Sequence, residues 1–222
     1  MSIATEVLSG DAYGPAAAAR LVAALGRARS LVLTGGGTAN AVYEHLGAAL
    51  PAETGVFIFF SDERCVPADH PANNYGQVAR SLPAVARGEH VERMRGEDEP
   101  GQEAARYSAA ISPFVTRGID LTLLGLGADG HIAALFPASP AIESEELCVS
   151  VERPDGIAGL TLTPRSLSAS EQIFLLVSGP GKAEAVVRVV RGDEAPAVCP
   201  GRLLAHHPRT VMLLDRAAAA RL

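Results

Sequence analysis

The chain has 222 residues, of which 48% are hydrophobic and 20% charged, and a formal net charge of −6. This length and composition suit an ordinary globular protein with a sizeable core. The acidic balance argues against binding nucleic acid through the overall field, and no stretch reaches the ~18 apolar residues of a membrane span. The N-terminus has neither the basic nor the apolar segment of a secretory signal. Three cysteines (Cys65, Cys148 and Cys199) are odd in number and lack metal-ligand spacing. The expectation is a reduced, cytoplasmic protein, monomeric or a small homo-oligomer, with no nucleic-acid or membrane partner.

"PAAAARLVAALGRA" (15–28) has apolar residues at helical spacing, with Pro15 suited to a first turn. "SLVLTGGG" predicts a short buried strand over Leu31–Leu33 that ends in three glycines. "TANAVYEHLGAAL" predicts a helix with Thr38 or Asn40 near its start. "GVFIFFSDE" reads as one continuous strand, followed by a loop with "VPADHPANNYG" and a helix near "NNYGQVARSL". "EDEPGQEAARYSAAISPFV" predicts a capped helix with acidic residues at its start. "DLTLLGLG" is a third strand, and "LCVSVE" and "GLTLTP" make a shorter pair. "QIFLLVSG" is a fourth buried strand, leading into the helix "KAEAVVRVV"; "RTVMLLD" is a fifth, and "RAAAARL" a terminal helix or tail. Continuous apolar strands alternating with helices are the pattern of a parallel sheet buried on both faces. The fold expected is a single Rossmann-like α/β domain over residues 1–222. It has a mostly parallel sheet flanked by helices, and a small strand pair near 147–163.

Ligands of such sheets sit at the carboxyl ends of the strands, where the distinctive polar residues fall. In "LTLLGLGADGHIAALFP" (121–137), Gly125, Gly127 and Gly130 spell G-x-G-x-x-G. A dinucleotide loop also needs a true helix next and an acid about 20 positions later at a strand end. Pro137 limits any helix, and Glu143, Glu145 and Glu146 precede the next strand, so no nucleotide cofactor is expected. In the same segment Asp129 can cap a short helix beginning at His131. The helix dipole would keep that imidazole neutral and able to accept a proton. The alternative is a packed loop histidine; the position at a strand's carboxyl end favours the base.

"TGGGT" (34–38) offers the backbone N–H groups of Gly35, Gly36 and Gly37 and the Thr38 hydroxyl to a phosphate, or is a strand-to-helix turn. "SDERCVP" (61–67) puts Asp62, Glu63 and Arg64 past a strand, where Arg64 suits bidentate anion binding or an internal ion pair. "SGPGK" (178–182) puts Lys182 at a helix N-terminus, a place that an anionic ligand would rationalise.

Taken in order, "TGGGTANAVYEHL", "FFSDERCVPADHPANNYGQV", "VERMRGEDEPGQEAARY", "LTLLGLGADGHIAALFP", "LTLTPRSL" and "LVSGPGKAEAV" resemble the 6-phosphogluconolactonases, from about Leu31 to the C-terminus. The resemblance implies hydrolysis of 6-phospho-D-glucono-1,5-lactone to 6-phosphogluconate in the pentose phosphate pathway. It implies no cofactor and no metal, and a fold shared with glucosamine-6-phosphate deaminases and sugar isomerases. By the same resemblance His131 activates water and Asp129 positions the site. Arg64, with Asp62, and Lys182 face the anionic substrate, and Gly35–Thr38 hold its phosphate. The sequence departs from the family's pattern in three places. Gly37, Thr38 and Ala39 replace a serine followed by Thr-Pro, and Ala134 replaces a serine. Gly159 stands where an arginine is usual, with Arg165 as a candidate substitute. Two rival readings are a deaminase and a non-catalytic sugar-phosphate binder. The deaminases resemble this chain through "DGH" but continue with an asparagine and a glutamate, where Leu135 and Phe136 stand here.

Overall fold

A computed structural model describes residues 3–8, 12–47 and 55–222. In chain order its elements are β1 (Ala4–Val7), α1 (Tyr13–Leu25), β2 (Ser30–Leu33), α2 (Gly37–Tyr43), β3 (Phe57–Phe60), β4 (Asp62–Arg64), α3 (Asn74–Ser81), α4 (Pro83–Arg87), α5 (Pro100–Arg117), β5 (Ile119–Gly125), β6 (Cys148–Glu152), β7 (Ala158–Leu162), α6 (Pro164–Ser168), β8 (Ser170–Val177), α7 (Ala183–Arg191) and β9 (Thr210–Leu214). Six strands form a parallel sheet in the order β1-β9-β8-β5-β2-β3, and three form a small antiparallel sheet, β4-β7-β6.

Each face of the large sheet has its own core. Leu31 and Leu33, Ile58 and Phe60, and Phe174 and Leu176 pack with Ala17, Leu21 and Leu25 of α1, Val42 and Tyr43 of α2 and Val78 of α3. The intervening Val32, Phe59, Ile173, Leu175 and Val177 face the other way. They pack with Tyr107, Ile111 and Phe114 of α5, Val186 and Val189 of α7, and Leu160 and Leu162 of the small sheet. Alternate side chains of a strand point to opposite faces, so continuous apolar strands fill both cores. Each fully buried side chain of this size contributes about 1.5–3 kcal/mol. No helix among the described residues is long and apolar enough to cross a membrane.

The predicted parallel strands and the hairpin near 147–163 are present. The stretch read as one strand through "FIFFSDE" is two. The chain turns at Ser61, leaves the parallel sheet and enters the small one, where β4 pairs with β7. The strand β1 was not anticipated; it is a short edge strand with little burial, held by backbone pairing to β9. The helix expected over "TANAVYEHLGAAL" ends at Tyr43, and residues 48–50 of that stretch lie outside the described residues. The C-terminal alanine run forms turns.

Three buried or half-buried tyrosines close strand ends. The Tyr43 hydroxyl donates to Thr34 O (2.9 Å) and accepts from Thr34 N (3.2 Å) just past β2. Tyr107 accepts from Phe60 N (2.7 Å) and donates to Phe60 O (3.1 Å) at the end of β3. Tyr13 donates to Leu213 O (2.9 Å) and accepts from Val177 N (2.9 Å), joining β9 and β8. Burial raises all three phenol pKa values. Each hydroxyl therefore remains both donor and acceptor. Removing one leaves two buried peptide groups without that partner, at a cost of about 1–3 kcal/mol. Tyr107→Phe is expected to lower the unfolding free energy by that amount in urea titration with an unchanged m-value. An unaltered midpoint would contradict this role.

Candidate active site

The order of the large sheet reverses between β2 and β5. The chain leaves β2 for β3 on one side, while β5 is flanked by β8 on the other. A crevice opens at the carboxyl ends of such neighbours. A pocket lies there, lined by Thr34–Ala39 after β2, Gly125–Gly127, His131 and Ala133 after β5, Leu176 and Val177 at the end of β8, and Asp62, Arg64, Asn74, Arg153 and Lys182. Every residue expected at the site from sequence lines this pocket except Asp129. Asp129 reaches it through His131.

No helix begins at His131. The Gly127 N–H donates to His131 O (2.8 Å) and the Gly130 N–H to Gly127 O (3.1 Å), closing a tight turn, and an isolated bridge joins Ile132 to Leu135. The helix expected at His131 is therefore absent, and with it the dipole argument for a neutral ring and the helix start that a dinucleotide loop requires. The Asp129 carboxylate does a different job. Its Oδ1 accepts from the His131 backbone N–H (3.1 Å) and lies 2.6 Å from His131 Nδ1. Partial burial pushes the Asp129 pKa up, but the N–H bond and the imidazole outweigh it and hold the carboxyl below its ordinary value. An ionised Asp129 accepts a hydrogen bond from Nδ1–H and so fixes the tautomer in which Nε2 is the acceptor. Nε2 makes no hydrogen bond among the described residues. Phe136 packs on the ring at 4.6 Å between centroids. A Cβ on Gly127 would lie 2.1 Å from His131 Nδ1 and 2.5 Å from Asp129 Oδ1. Only glycine lets the pair fold back over the turn.

The second part of the site is built where the chain changes sheets. Glu63 is fully buried, and its carboxylate accepts from the backbone N–H groups of Arg64 (2.8 Å), Asn74 (2.6 Å) and Tyr75 (2.8 Å). Asn74 donates through Nδ2 to Asp62 O and Oδ2, both 2.9 Å away, and accepts from Arg64 Nη1 (2.6 Å). Arg64 Nη1 also donates to Ala72 O (2.8 Å). Arg64 thus makes no ion pair with its acidic neighbours. It is anchored by neutral acceptors, and its charge faces the pocket. A Cβ on Gly35 would collide with the Asn74 amide at 1.9 Å. The glycine run therefore serves close packing against α3 as well as the pocket.

Lys182 is the sole lysine in the sequence. It caps α7 at the pocket rim, and no carboxylate among the described residues pairs with it. Arg165, the substitute considered for the absent arginine, lies elsewhere and donates to Glu145 O. Ala134 is fully buried and its N–H donates to Thr161 Oγ1, so this departure falls in the core. Sequence reasoning missed Asn74, Phe136 and Arg153. Asn74 was visible only as part of the stretch "NNYGQVARSL" read as a helix. Arg153 sits in a charged, turn-like stretch with no motif. Cys148 and Cys199 are buried and Cys65 half-buried, all unpaired. His207 is used up by Thr210 Oγ1 and Ser170 O.

A switch-point pocket holding a histidine–aspartate pair among cationic side chains defines an α/β enzyme for small anionic substrates. The sequence profile of the glucosamine-6-phosphate isomerases/6-phosphogluconolactonases matches residues 11–212. A 6-phosphogluconolactonase of Mycobacterium tuberculosis is 35% identical, covering 100% of this chain and 99% of that protein. A glucosamine-6-phosphate deaminase of Beutenbergia cavernae is 32% identical over 86% of this chain and 81% of that protein. The solved 6-phosphogluconolactonase of Trypanosoma cruzi shares the fold, with a TM-score of 0.85 at 24% identity over 100% of this chain and 98% of that one. The chain belongs to the glucosamine-6-phosphate isomerase/6-phosphogluconolactonase family.

Burial pushes the Glu63 carboxyl up to about 7 against the pull of its three N–H donors. The folded chain then keeps this proton to a higher pH than the unfolded chain does. Stability from the group is full below the ordinary glutamate range and is lost as pH rises through about 7. Urea unfolding of the parent should show this decline between the ordinary glutamate value of 4.5 and about 7. Glu63→Gln should be less stable throughout and lack that component. Equal slopes in the two proteins would refute the assignment.

Proposed function

We propose that this chain hydrolyses 6-phospho-D-glucono-1,5-lactone to 6-phospho-D-gluconate, with His131 as the general base. The observation that carries the reading is the Asp129–His131 pair, held at 2.6 Å beside a pocket that Arg64, Arg153, Lys182 and the Gly35–Thr38 loop also line. Asp129 holds the Nδ1 proton, so Nε2 takes one from water as the water attacks the lactone carbonyl. The tetrahedral oxyanion is met by N–H donors or by a nearby cation. His131 then returns the proton to the leaving ring oxygen. The lactone is an activated ester, so these groups suffice. The Gly35–Thr38 loop, Arg64 and Lys182 hold the anionic part of the substrate, with Asp62 positioned by Asn74 beside them.

The likeness to a deaminase of the same family calls for discrimination. Leu135 is fully buried and Phe136 nearly so, the latter packed on His131. Ring opening and isomerisation of an amino sugar need further proton transfer, and these two positions supply no ionisable group for it. The reading places the enzyme in the cytoplasm, in keeping with three unpaired cysteines, as a monomer or small homo-oligomer.

Lactone generated in situ should release acid faster with the chain than in buffer, and glucosamine 6-phosphate should release no ammonia at a comparable rate. Acid release no faster than in buffer would end the assignment, and faster ammonia release would reverse it. His131→Ala should lower kcat by about 10²–10⁴-fold. Gly127→Ala, which displaces the ring without removing it, should lower kcat while circular dichroism stays native.

A further inference from the structure

We propose that Arg153 is a further residue that binds the substrate's phosphate, brought to the pocket across a gap left by Gly159. The inference rests on the reading of the pocket as a sugar-phosphate site. Gly159 lies on the central strand of the small sheet, paired with Arg64 of β4 on one side and Val151 of β6 on the other. A Cβ there would lie 2.8 Å from Arg153 Cδ and 3.2 Å from Cγ. The Arg153 stem therefore occupies the space that a side chain at position 159 would fill. Arg153 emerges just past β6, folds back over β7 and lines the same pocket as Arg64 and Lys182.

Two contacts hold it ready. Its guanidinium carbon is 5.3 Å from the centre of the Phe136 ring, the same ring that packs on His131. Phe136 thus spaces the guanidinium from the histidine. On the other side Asp155 accepts from Nε (3.3 Å) and Nη2 (2.9 Å). The Arg153 side chain is only 10% exposed, whereas that of Asp155 is 47% exposed. The Arg153 hydrogen bonds hold the Asp155 carboxyl below the ordinary aspartate range, and the ionised carboxylate orients the guanidinium by its Nε–Nη2 edge. Nη1 makes no hydrogen bond among the described residues, which leaves an edge of the planar fork for a phosphate, the group it matches best. Arg64 stands beside it, with Nη1 spent on Ala72 O and Asn74 Oδ1 and its buried Nε without a hydrogen bond among the described residues.

The test uses the full chain and two readouts. In the first, lactone hydrolysis by Arg153→Ala should show KM raised at least about tenfold with kcat changed far less, the mark of lost binding. Gly159→Ala should raise KM in the same direction although Arg153 is still present. The double variant Arg153→Ala/Gly159→Arg should recover much of the loss, because the cation then reaches the pocket from β7. The second readout is independent of turnover. Because Lys182 is the sole lysine, its reductive methylation can be followed by mass spectrometry. 6-Phosphogluconate should protect Lys182 in the parent far better than gluconate does, and Arg153→Ala should abolish that preference. If the parent hydrolyses the lactone while Arg153→Ala keeps both its KM and the preference, this inference fails and the function stands. If the parent does not hydrolyse the lactone but the protection depends on Arg153, the function fails and the anion site stands.

Discussion

Parallel strands lose their hydrogen-bonding partners at their carboxyl ends, and in this chain those ends are where the polar residues collect. Buried peptide groups there must find other partners or cost the fold stability. Tyr13, Tyr43 and Tyr107 supply them at the ends of β8, β9, β2 and β3. Glu63 does the same for three N–H groups where the chain passes from one sheet to the other. Such closures are fixed in direction, because a phenol that both donates and accepts fits only one arrangement of the strand end. The loops that leave these ends therefore start from defined positions, and the pocket inherits that rigidity.

The turn after β5 applies the same economy to the histidine. Without a helix beginning there, nothing but the turn and its side chains orients His131. The backbone closes on itself between Gly127 and His131, Asp129 fixes one ring nitrogen, and Phe136 supports the ring face. This is a stiffer device than a helix terminus, since a hydrogen bond to an ionised carboxylate fixes ring orientation and tautomer together. The cationic wall is built separately, on the small sheet and α7. Binding and proton transfer thus rest on different elements that meet at Phe136, which touches both Arg153 and His131.

Much of this was legible in the sequence. Apolar runs ending in glycine or charged loops marked the parallel strands, and their carboxyl ends held the pocket residues. What was not legible follows from physics that local patterns do not carry. β1 is short and mostly exposed, so it has no apolar signature; backbone pairing to β9 and an exposed Glu6–Arg20 ion pair hold it. The break at Ser61 lies inside a continuous apolar-to-charged run and appears only because β7 offers Asp62–Arg64 a new partner. The helix at His131 was inferred from a cap residue that in fact binds a ring. Asn74 and Arg153 act across strands, and a contact made possible by an absent side chain at Gly159 leaves no mark in the local sequence.

The account stands or falls on which nitrogen of His131 carries the proton in the neutral ring. ¹⁵N NMR of the histidine-labelled protein, with His131 assigned by its loss in His131→Gln, reads this directly. The account predicts a proton on Nδ1 and a bare Nε2, with the Nδ1 proton lost to exchange or moved to Nε2 in Asp129→Asn. A neutral His131 protonated on Nε2 in the parent would leave no acceptor facing the pocket and would contradict it.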